Sequence, residues 1–508
     1  MNDPVPAWML RELGRAEGGR RTLGALLDGQ HTRRLLVLRL LLDAVRQAPP
    51  TVLAPAAAEL AREHWALLED VDRATPEAAR AALYYPLAGP WAERCVRALT
   101  GPSRTPPPAS PADAGRPAGP TDPVSASALA DDLAHLGGFA VVAAARGAHP
   151  FRTRLAVREG QVSLPALGAL RLRPPAPAPP PPPGGPRPPA ARPGARARPG
   201  PYATAGATVW VEGAGGVLTV SGPGIAPVVL RPDGRGGWGS PDPRWRPAHA
   251  LADGPVRVVL DDGDPYRAVD NDLRRHGLFA FGTLTSGQRD HWRATWRAAL
   301  PMLALAGQCP LVESGLLGCV VPMTRPPGVT GRAEGAAHSS GTRREAFGAV
   351  LASAPSGPAT LAATLVHELH HAKLSAVSDL TPLHTAGPPR RYWAPWRPDA
   401  RPFDGLLQGA YAHLALADYW QRVALAPVDA ELRDLAWAEH ARCREQVGAI
   451  LPTLTGSRQL TFAGRVLLTE LAALHARMKA DPPPARYLAR ATAYVETARL
   501  TWRRQHTR

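Results

Sequence analysis

The stretch Leu361–Leu374, which reads LAATLVHELHHAKL, decides how the rest of this 508-residue chain is interpreted. It contains the pattern H-E-x-x-H, formed by His367, Glu368 and His371. Residues four apart lie on one face of a helix, so a helix here would direct both imidazoles at one metal ion, with the glutamate beside them. No Gly or Pro interrupts the stretch, and helix breakers precede it at 353–358. We therefore predict a metal site on a helix.

A five-residue pattern also arises by chance, and two histidines in a chain with 16 His can be ordinary helix residues. Context favours the metal interpretation, because the motif is followed by a run rich in His, Arg, Tyr and Trp. A second helix is predicted after Gly405, and His413 stands alone in it among small apolar residues. A lone histidine on an apolar face is usually part of the core, but a two-histidine site needs a third ligand, which makes His413 a candidate.

The composition argues against several classes of function. The formal charge is +16, but the arginines that carry it are scattered, so we expect no nucleic-acid partner. The four cysteines form no C-x-x-C pair, which argues against a zinc ribbon or an iron–sulfur cluster and favours a reducing cytoplasm. The N-terminus does not have the pattern of a signal peptide, and the most apolar run, 35–42, is too short to span a bilayer. We predict a soluble, cytoplasmic protein without a membrane partner.

The order of apolar patterns predicts an α+β protein, mainly helical, with a small antiparallel β layer and the metal site on the H-E-x-x-H helix. Proline-rich stretches divide the chain. The predicted segments are a helical N-terminal domain (1–100), a Pro-rich linker (101–123), a small α/β segment (124–172), a polyproline-rich linker (173–203), the β layer (204–262) and a mainly helical catalytic domain (263–508).

A loop after the motif, RRYWAPWRPDARPF at 390–403, combines arginines and aromatic residues with several prolines, and we call it the aromatic loop. Two histidines with open coordination positions suit two reactions. Zinc with Glu368 as general base would hydrolyse a peptide, whereas iron(II) would leave positions open for a 2-oxo acid and O₂. Only the second reaction needs a cation for the distal carboxylate of the co-substrate, and Arg397 and Arg401 in this stiff loop suit that role. The sequence shows no metzincin-type extension of the motif.

The runs HELHHAKLSAVSDLTPL and RRYWAPWRPDARPFDGLLQGAYAHLALADYW resemble the HExxH-motif proteins of ribosomally synthesised peptide natural product pathways. The REAFGAV segment just upstream fits the same pattern. The match is dense from about Arg344 to Trp420 and weak elsewhere. The family is described as 2-oxoglutarate-dependent, HExxH-type peptide β-hydroxylases. Some relatives are fused to radical-SAM domains, but this chain lacks C-x-x-x-C-x-x-C.

The resemblance implies Fe(II), 2-oxoglutarate and O₂, and hydroxylation at the β-carbon of a residue in a precursor peptide. Without a radical-SAM domain, the protein would act alone or with a separate maturation enzyme. The implied site has His367, His371 and His413 as iron ligands, and Arg397 and Arg401 are the candidates for binding 2-oxoglutarate. Glu368, beside the motif histidines, is the predicted catalytic residue.

Some alternatives stay open at this point. A third histidine departs from the usual 2-His-1-carboxylate set, so Glu368 or a loop carboxylate, Asp399 or Asp404, remains a candidate ligand. A zinc peptidase that trims a leader peptide, with Glu368 as base, is the second functional hypothesis. A non-catalytic peptide-docking protein with a degenerate metal site is the third.

Overall fold

The computed structural model describes residues 5–101, 126–172, 207–254, 256–267, 279–280, 283–313, 315–324, 338–387 and 391–506. Residues 102–123 of the first predicted linker (101–123) and all of the second (173–203) lie outside this set, as does Arg390 of the aromatic loop. The α-helices are α1 (Ala7–Gly14), α2 (Arg20–Gln47), α3 (Pro55–Ala74), α4 (Pro76–Leu83), α5 (Ala88–Thr100), α6 (Ala126–Ala134), α7 (Leu136–Arg146), α8 (Ser286–Leu305), α9 (Pro310–Glu313), α10 (Pro358–Leu380), α11 (Phe403–Leu425), α12 (Ala430–Thr455), α13 (Phe462–Arg477) and α14 (Ala485–His506).

Local chemistry accounts for where several helices begin. Thr285 caps α8 through a reciprocal capping box with Gln288. Asp429 caps α12 by accepting a hydrogen bond from the backbone N–H of Leu432. Pro358 stands in the first turn of α10, where a helix needs no backbone N–H. The starts of these three helices are therefore determined by residues that can be recognised in the sequence.

The strands are β1 (Phe151–Ala156), β2 (Gln161–Leu164), β3 (Gly168–Arg171), β4 (Thr208–Ala214), β5 (Val217–Gly222), β6 (Ile225–Pro232), β7 (Trp238–Gly239), β8 (Trp245–Pro247), β9 (His249–Asp253), β10 (Val256–Leu260), β11 (Phe279–Ala280), β12 (Cys319–Thr324), β13 (Ser340–Gly341) and β14 (Ala349–Ser353). They form a five-stranded sheet in the order β1-β4-β5-β6-β7, a three-stranded sheet β2-β3-β8, and a six-stranded sheet β13-β14-β12-β10-β9 in which β11 also pairs with β12.

The predicted α+β, mainly helical class is confirmed, and the first two sheets are antiparallel as expected. The third sheet is mixed, because β12 pairs in parallel with both β10 and β14. Strand β14 is buried along its whole length, which is typical of a parallel strand covered on both faces. The expectation of one antiparallel layer was therefore too simple, since β10 joins strands that come much later in the chain.

The chain divides into two compact units. The first comprises 1–35, 250–262 and 266–508, and the second comprises 36–249 and 263–265. The boundary near residue 35 falls inside α2, so the predicted N-terminal domain 1–100 is shared between the units. Helix α1 packs against α13 of the first unit, which is why the N-terminal residues belong with the C-terminal half of the chain.

The core of the first unit surrounds α10, which packs against α8 and α11. The buried side of α10 includes Leu365 and Leu369, both 0% exposed. Trp292 and Trp296 of α8, one helical turn apart, are also buried in this core. The motif helix is thus held on a continuous apolar surface, which gives its polar face a fixed orientation.

One helical stretch, 128–146 in α6 and α7, is long and apolar enough by composition to cross a bilayer. Two thirds of its most apolar window are buried within the protein. Phe139, Ala140 and Val141 are each 0% exposed. The stretch therefore has the burial of a core helix in a soluble protein.

Candidate functional site

The motif lies on a helix, as predicted, and its three histidines do not point the same way. His370 is buried, its Nδ1 donates to the carbonyl of Val366 at 2.7 Å, and Nζ of Lys373 lies 3.1 Å from its Nε2. His367 and His371 share the other, partly exposed face of α10. The helical period of 3.6 residues thus selects the first and last histidines of the motif as the pair.

The Nε2 atoms of His367 and His371 are 3.2 Å apart, and the rings are close to perpendicular. Nδ1 of His371 donates to Oε1 of Gln408 at 3.2 Å, and the amide of Gln408 donates to Ser375. A proton on Nδ1 leaves Nε2 of neutral His371 with a lone pair. Nδ1 of His367 is buried and makes no hydrogen bond to any described residue, which is uncommon for a buried polar atom.

Helix α11 brings His413 to the motif helix. Its ring centroid lies 5.0 Å from that of His367 at an interplanar angle of 88°. Nδ1 of His413 donates to the carbonyl of Gly409 at 2.8 Å, so its Nε2 is also free of a proton in the neutral ring. Burial lowers the pKa of His413 to about 3, and burial is also the main cause that lowers the pKa of His367. Both rings are neutral at pH 7, which is the form that binds metal.

Trp396 of the aromatic loop stacks on His413, with ring centroids 4.4 Å apart and an interplanar angle of 18°. The indole passes directly over Gly409, where a Cβ atom would lie only 2.6 Å from Cε2 of Trp396. Glycine is therefore required at position 409 for this close approach. The aromatic loop is thus connected to the histidine cluster through its second tryptophan.

Glu368 is buried beside the pair, at 2% exposure. Ser340 of β13 donates to its Oε1 at 2.7 Å, and Thr342 adds a second side-chain hydrogen bond. Burial raises the pKa of Glu368, while His371 and the two hydroxyl donors act in the opposite direction. The carboxylate is therefore held by the strand on one side of α10.

The two loop carboxylates have other partners. Asp399 accepts from Nε of Arg397 at 2.8 Å and from Nη1 of Arg401 at 3.4 Å. Asp404 lies 3.4 Å from Nε2 of His384 and its side chain is 57% exposed. Of the candidates for a third ligand outside α10, His413 is the one whose ring contacts a motif histidine, His367.

Arg397 and Arg401, the predicted anchors of a co-substrate, are only partly exposed, with side chains at 34% and 29%. Both share the carboxylate of Asp399. The described structure gives neither of them a contact with the three histidines, so their predicted role stays a prediction.

A different arginine, Arg442 of α12, lies near the histidines. Helices α11 and α12 are joined by a short turn and run antiparallel, and Nδ1 of His440 donates to the carbonyl of Ala417 at 2.8 Å. That bond sets the register, so the residues just after His440 lie beside the turn of α11 that carries His413. The charge of Arg442 adds to burial in lowering the pKa of both His367 and His413.

The segment 338–344, which precedes the motif helix, contributes several contacts to α10. Arg343 pairs with Glu345, and Arg344 forms an ion pair with Asp379 at the end of α10. His338 is hydrogen-bonded to Thr364 at 2.8 Å. Within this segment, Ser340 reaches the motif, through Glu368.

Four functional candidates were missed: Trp396 as a partner of His413, and Gln408, Gly409 and Arg442. The i, i+4 spacing of Gly409 and His413 is a signal that the sequence did contain. The other contacts depend on how α10, α11, α12 and the aromatic loop pack, which no local pattern reveals.

Among the described residues, no three His, Cys, Asp or Glu side chains already form a group able to hold a metal ion. His367 is the middle ring, in contact with both His371 and His413. No protein-family model matches the chain, and no curated protein matches it.

Proposed function

We propose that His367, His371 and His413 hold an iron(II) ion and that the protein hydroxylates the β-carbon of a residue in a ribosomally synthesised precursor peptide, with 2-oxoglutarate and O₂ as co-substrates. The observation that carries the metal site is the 3.2 Å separation of two Nε2 atoms beside a third neutral imidazole. The assignment of the reaction comes from the resemblance in the motif and the aromatic loop.

The two ring separations that His367 makes are of the size expected for ligands of one ion. Two nitrogens bound at about 2.1 Å in a tetrahedral site are separated by about 3.4 Å, and the centroids of two such imidazoles by about 5 Å. The observed centroid separations are 4.7 Å for His367 and His371 and 5.0 Å for His367 and His413. Imidazole nitrogens suit iron and zinc alike.

The protonation pattern supports the same proposal. Nδ1 of His413 and Nδ1 of His371 are both occupied as donors, to Gly409 and Gln408. Partners of this kind orient histidine ligands and direct Nε2 toward a metal. His367 lacks such a partner among the described residues, so a proton on its Nδ1 would leave its Nε2 facing that of His371 as a second lone pair. A cation shared by the two Nε2 atoms relieves that conflict.

Iron(II), when bound, supplies the redox chemistry by which O₂ and 2-oxoglutarate hydroxylate a C–H bond, with succinate and CO₂ as co-products. The chain itself orients three neutral imidazoles and supplies a guanidinium that binds the distal carboxylate of 2-oxoglutarate. Arg442 joins Arg397 and Arg401 as a candidate for that guanidinium. Among the described residues, hydrogen bonds to Glu439 and Gln446 use three of its five N–H groups, which leaves two for a ligand.

A second candidate function is favoured by one observation. Three histidines without a carboxylate match a catalytic zinc donor set better than the iron set of two histidines and one carboxylate. A buried glutamate with a raised pKa beside them would suit a general base. The second candidate is therefore a zinc peptidase in which Glu368 activates water for cleavage of a leader peptide.

One experiment separates these candidates. The purified chain is incubated anaerobically with Fe(II), then given O₂, 2-oxoglutarate and the peptide encoded beside its gene. Succinate together with a gain of one oxygen mass on the peptide supports hydroxylation. Peptide fragments that form with Zn(II), without succinate, would contradict hydroxylation and support the peptidase. Peptide binding without any change in peptide mass would contradict both reactions and support a non-catalytic docking protein.

A further inference from the structure

The aromatic loop is closed by a pair of backbone hydrogen bonds. The N–H of Tyr392 donates to the carbonyl of Arg401 at 2.7 Å, and the N–H of Arg401 donates back at 2.8 Å. Between these ends, the guanidinium of Arg499 on α14 lies 5.0 Å from the ring centroid of Trp393. Trp396 instead lies against α11. The two tryptophans of one closed loop therefore contact different helices.

The contacts of His413 define its ring on three sides. The indole of Trp396 covers one face in a near-parallel stack. The Nδ1 edge is held by the carbonyl of Gly409. The ring of His367 meets it at a right angle. An offset stack between two aromatic planes leaves the ring edges free, so the indole restricts rotation of the imidazole without covering its Nε2.

Gly409 has two roles in this arrangement. Its carbonyl accepts the Nδ1 proton of His413, and its missing side chain makes room for the indole. A side chain at 409 would displace Trp396 while leaving the carbonyl in place. The stack and the hydrogen bond can therefore be disturbed separately.

We propose that Trp396 is a positioning residue for the metal site: seated over Gly409, it holds the imidazole of His413 in the orientation that presents Nε2 to an ion shared with His367 and His371. This inference rests on the proposed metal site. Residues that orient a ligand from behind contribute to metal affinity although they never touch the ion, and their loss weakens binding by about 10- to 100-fold.

The test is a titration of the metal-free full-length chain with Co(II), which takes the same ligands as iron(II) and reports coordination number in its visible spectrum. We expect Trp396→Ala and Gly409→Ala each to weaken Co(II) binding by about 10- to 100-fold and to change the spectrum. Trp396→Phe keeps a ring over His413 and should bind within a few-fold of the unsubstituted chain. Trp393→Ala is the matched control from the same loop, and its affinity should be unchanged.

A second measurement needs no metal. The ring current of the indole shifts the carbon-bound protons of His413 in the NMR spectrum, so Trp396→Phe should move these resonances while leaving those of His440 in place. This readout holds even if Trp396→Ala does not fold.

The outcomes are separable. Unchanged Co(II) affinity and spectrum in Trp396→Ala and Gly409→Ala would overturn the positioning role while leaving the metal site intact. A His413→Ala chain that binds Co(II) as the unsubstituted chain does would also overturn it, because the residue being positioned would not be a ligand. If the unsubstituted chain binds no Co(II), the proposed metal site fails and this inference fails with it.

Discussion

Nε2 of His367 lies 3.2 Å from Nε2 of His371, and His371 already uses its Nδ1 proton in a hydrogen bond to Gln408. Two ring nitrogens in this relationship either share one proton or share one cation. The alternatives differ in what happens when a ligand is removed, because a shared metal would also depend on His413, whereas a shared proton would not.

Removing a motif histidine should abolish tight metal binding. If three ligands share a binding energy of roughly 10 kcal/mol, His371→Ala should lose about 3 kcal/mol, or roughly 100-fold in affinity. The matched control is His370→Ala in the same motif, since His370 contacts Val366 and Lys373 on the other side of α10. The metal content of each variant is measured after dialysis. Equal loss in the two variants would show that the metal does not lie on the His371 face.

The hydrogen bond from His371 to Gln408 should contribute to affinity as well. Gln408→Ala removes the acceptor, and we expect about 10- to 100-fold weaker binding in the same titration. Gln408→Glu keeps an acceptor and should preserve binding. Gln421→Ala, on the same helix, removes hydrogen bonds to Met478 and Asp481 and should lower the melting temperature while leaving metal affinity unchanged. The hypothesis fails if Gln408→Ala binds metal normally.

Glu368→Gln distinguishes the two candidate reactions. The amide keeps an oxygen that can accept from Ser340, so the fold and the metal site should survive. A general base typically contributes 10²- to 10⁴-fold, so a peptidase would lose that much cleavage activity. A hydroxylase should keep its rate within about tenfold, measured as succinate formed per minute. A drop of three orders of magnitude in hydroxylation would give Glu368 a direct role that the proposal does not assign.

Binding of 2-oxoglutarate should depend on an arginine near the histidines. A charge-assisted hydrogen bond contributes about 2 kcal/mol, so Arg442→Gln should raise the dissociation constant of 2-oxoglutarate by roughly 30-fold while metal remains bound. Calorimetry on the metal-loaded chain measures this. The dissociation constants of 2-oxoglutarate for Arg397→Gln and Arg401→Gln are measured in the same way for comparison. If the larger increase comes from Arg401→Gln, the loop arginine predicted from sequence is the anchor and Arg442 is not.

Burial of His440, whose ring donates to the carbonyl of Ala417 on α11, should make stability depend on pH. Burial lowers the pKa of His440 from 6.5 to about 4. The unfolded chain therefore binds a proton that the folded chain does not between these values, so this group's contribution is complete above pH 6.5 and is lost as the pH falls toward 4.

His440→Phe should consequently flatten the pH dependence of the free energy of unfolding between pH 6.5 and 4, by up to about 1.4 kcal/mol per pH unit. Urea denaturation at several pH values measures the slope. His506→Phe is the control, because His506 is exposed at the end of α14. Parallel curves for His440→Phe and the unsubstituted chain would show that this histidine is not buried as described.

Much of the fold was predictable where the signal is local. In α8, the helical spacing of the apolar residues, with Trp292 and Trp296 one turn apart, is a local signal both for the helix and for its buried face. The breakers before Pro358 predicted where α10 begins. The parallel pairing of β10 with β12 was missed, because the partner strands are separated by about 60 residues and a short apolar run does not reveal its neighbour.

The candidate site divides in the same way. The pairing of His367 with His371 follows from the period of the helix, so the sequence by itself determined it. Only the tertiary structure decided that the ring of His413 contacts His367 and that Trp396 stacks on His413. It also decided that Asp399 pairs with both Arg397 and Arg401. The position of Arg442 near the histidines likewise depends on how the helices pack. The physical reason is that a helical turn fixes distances within one segment, whereas distances between segments depend on how apolar faces pack, which many different sequences satisfy equally well.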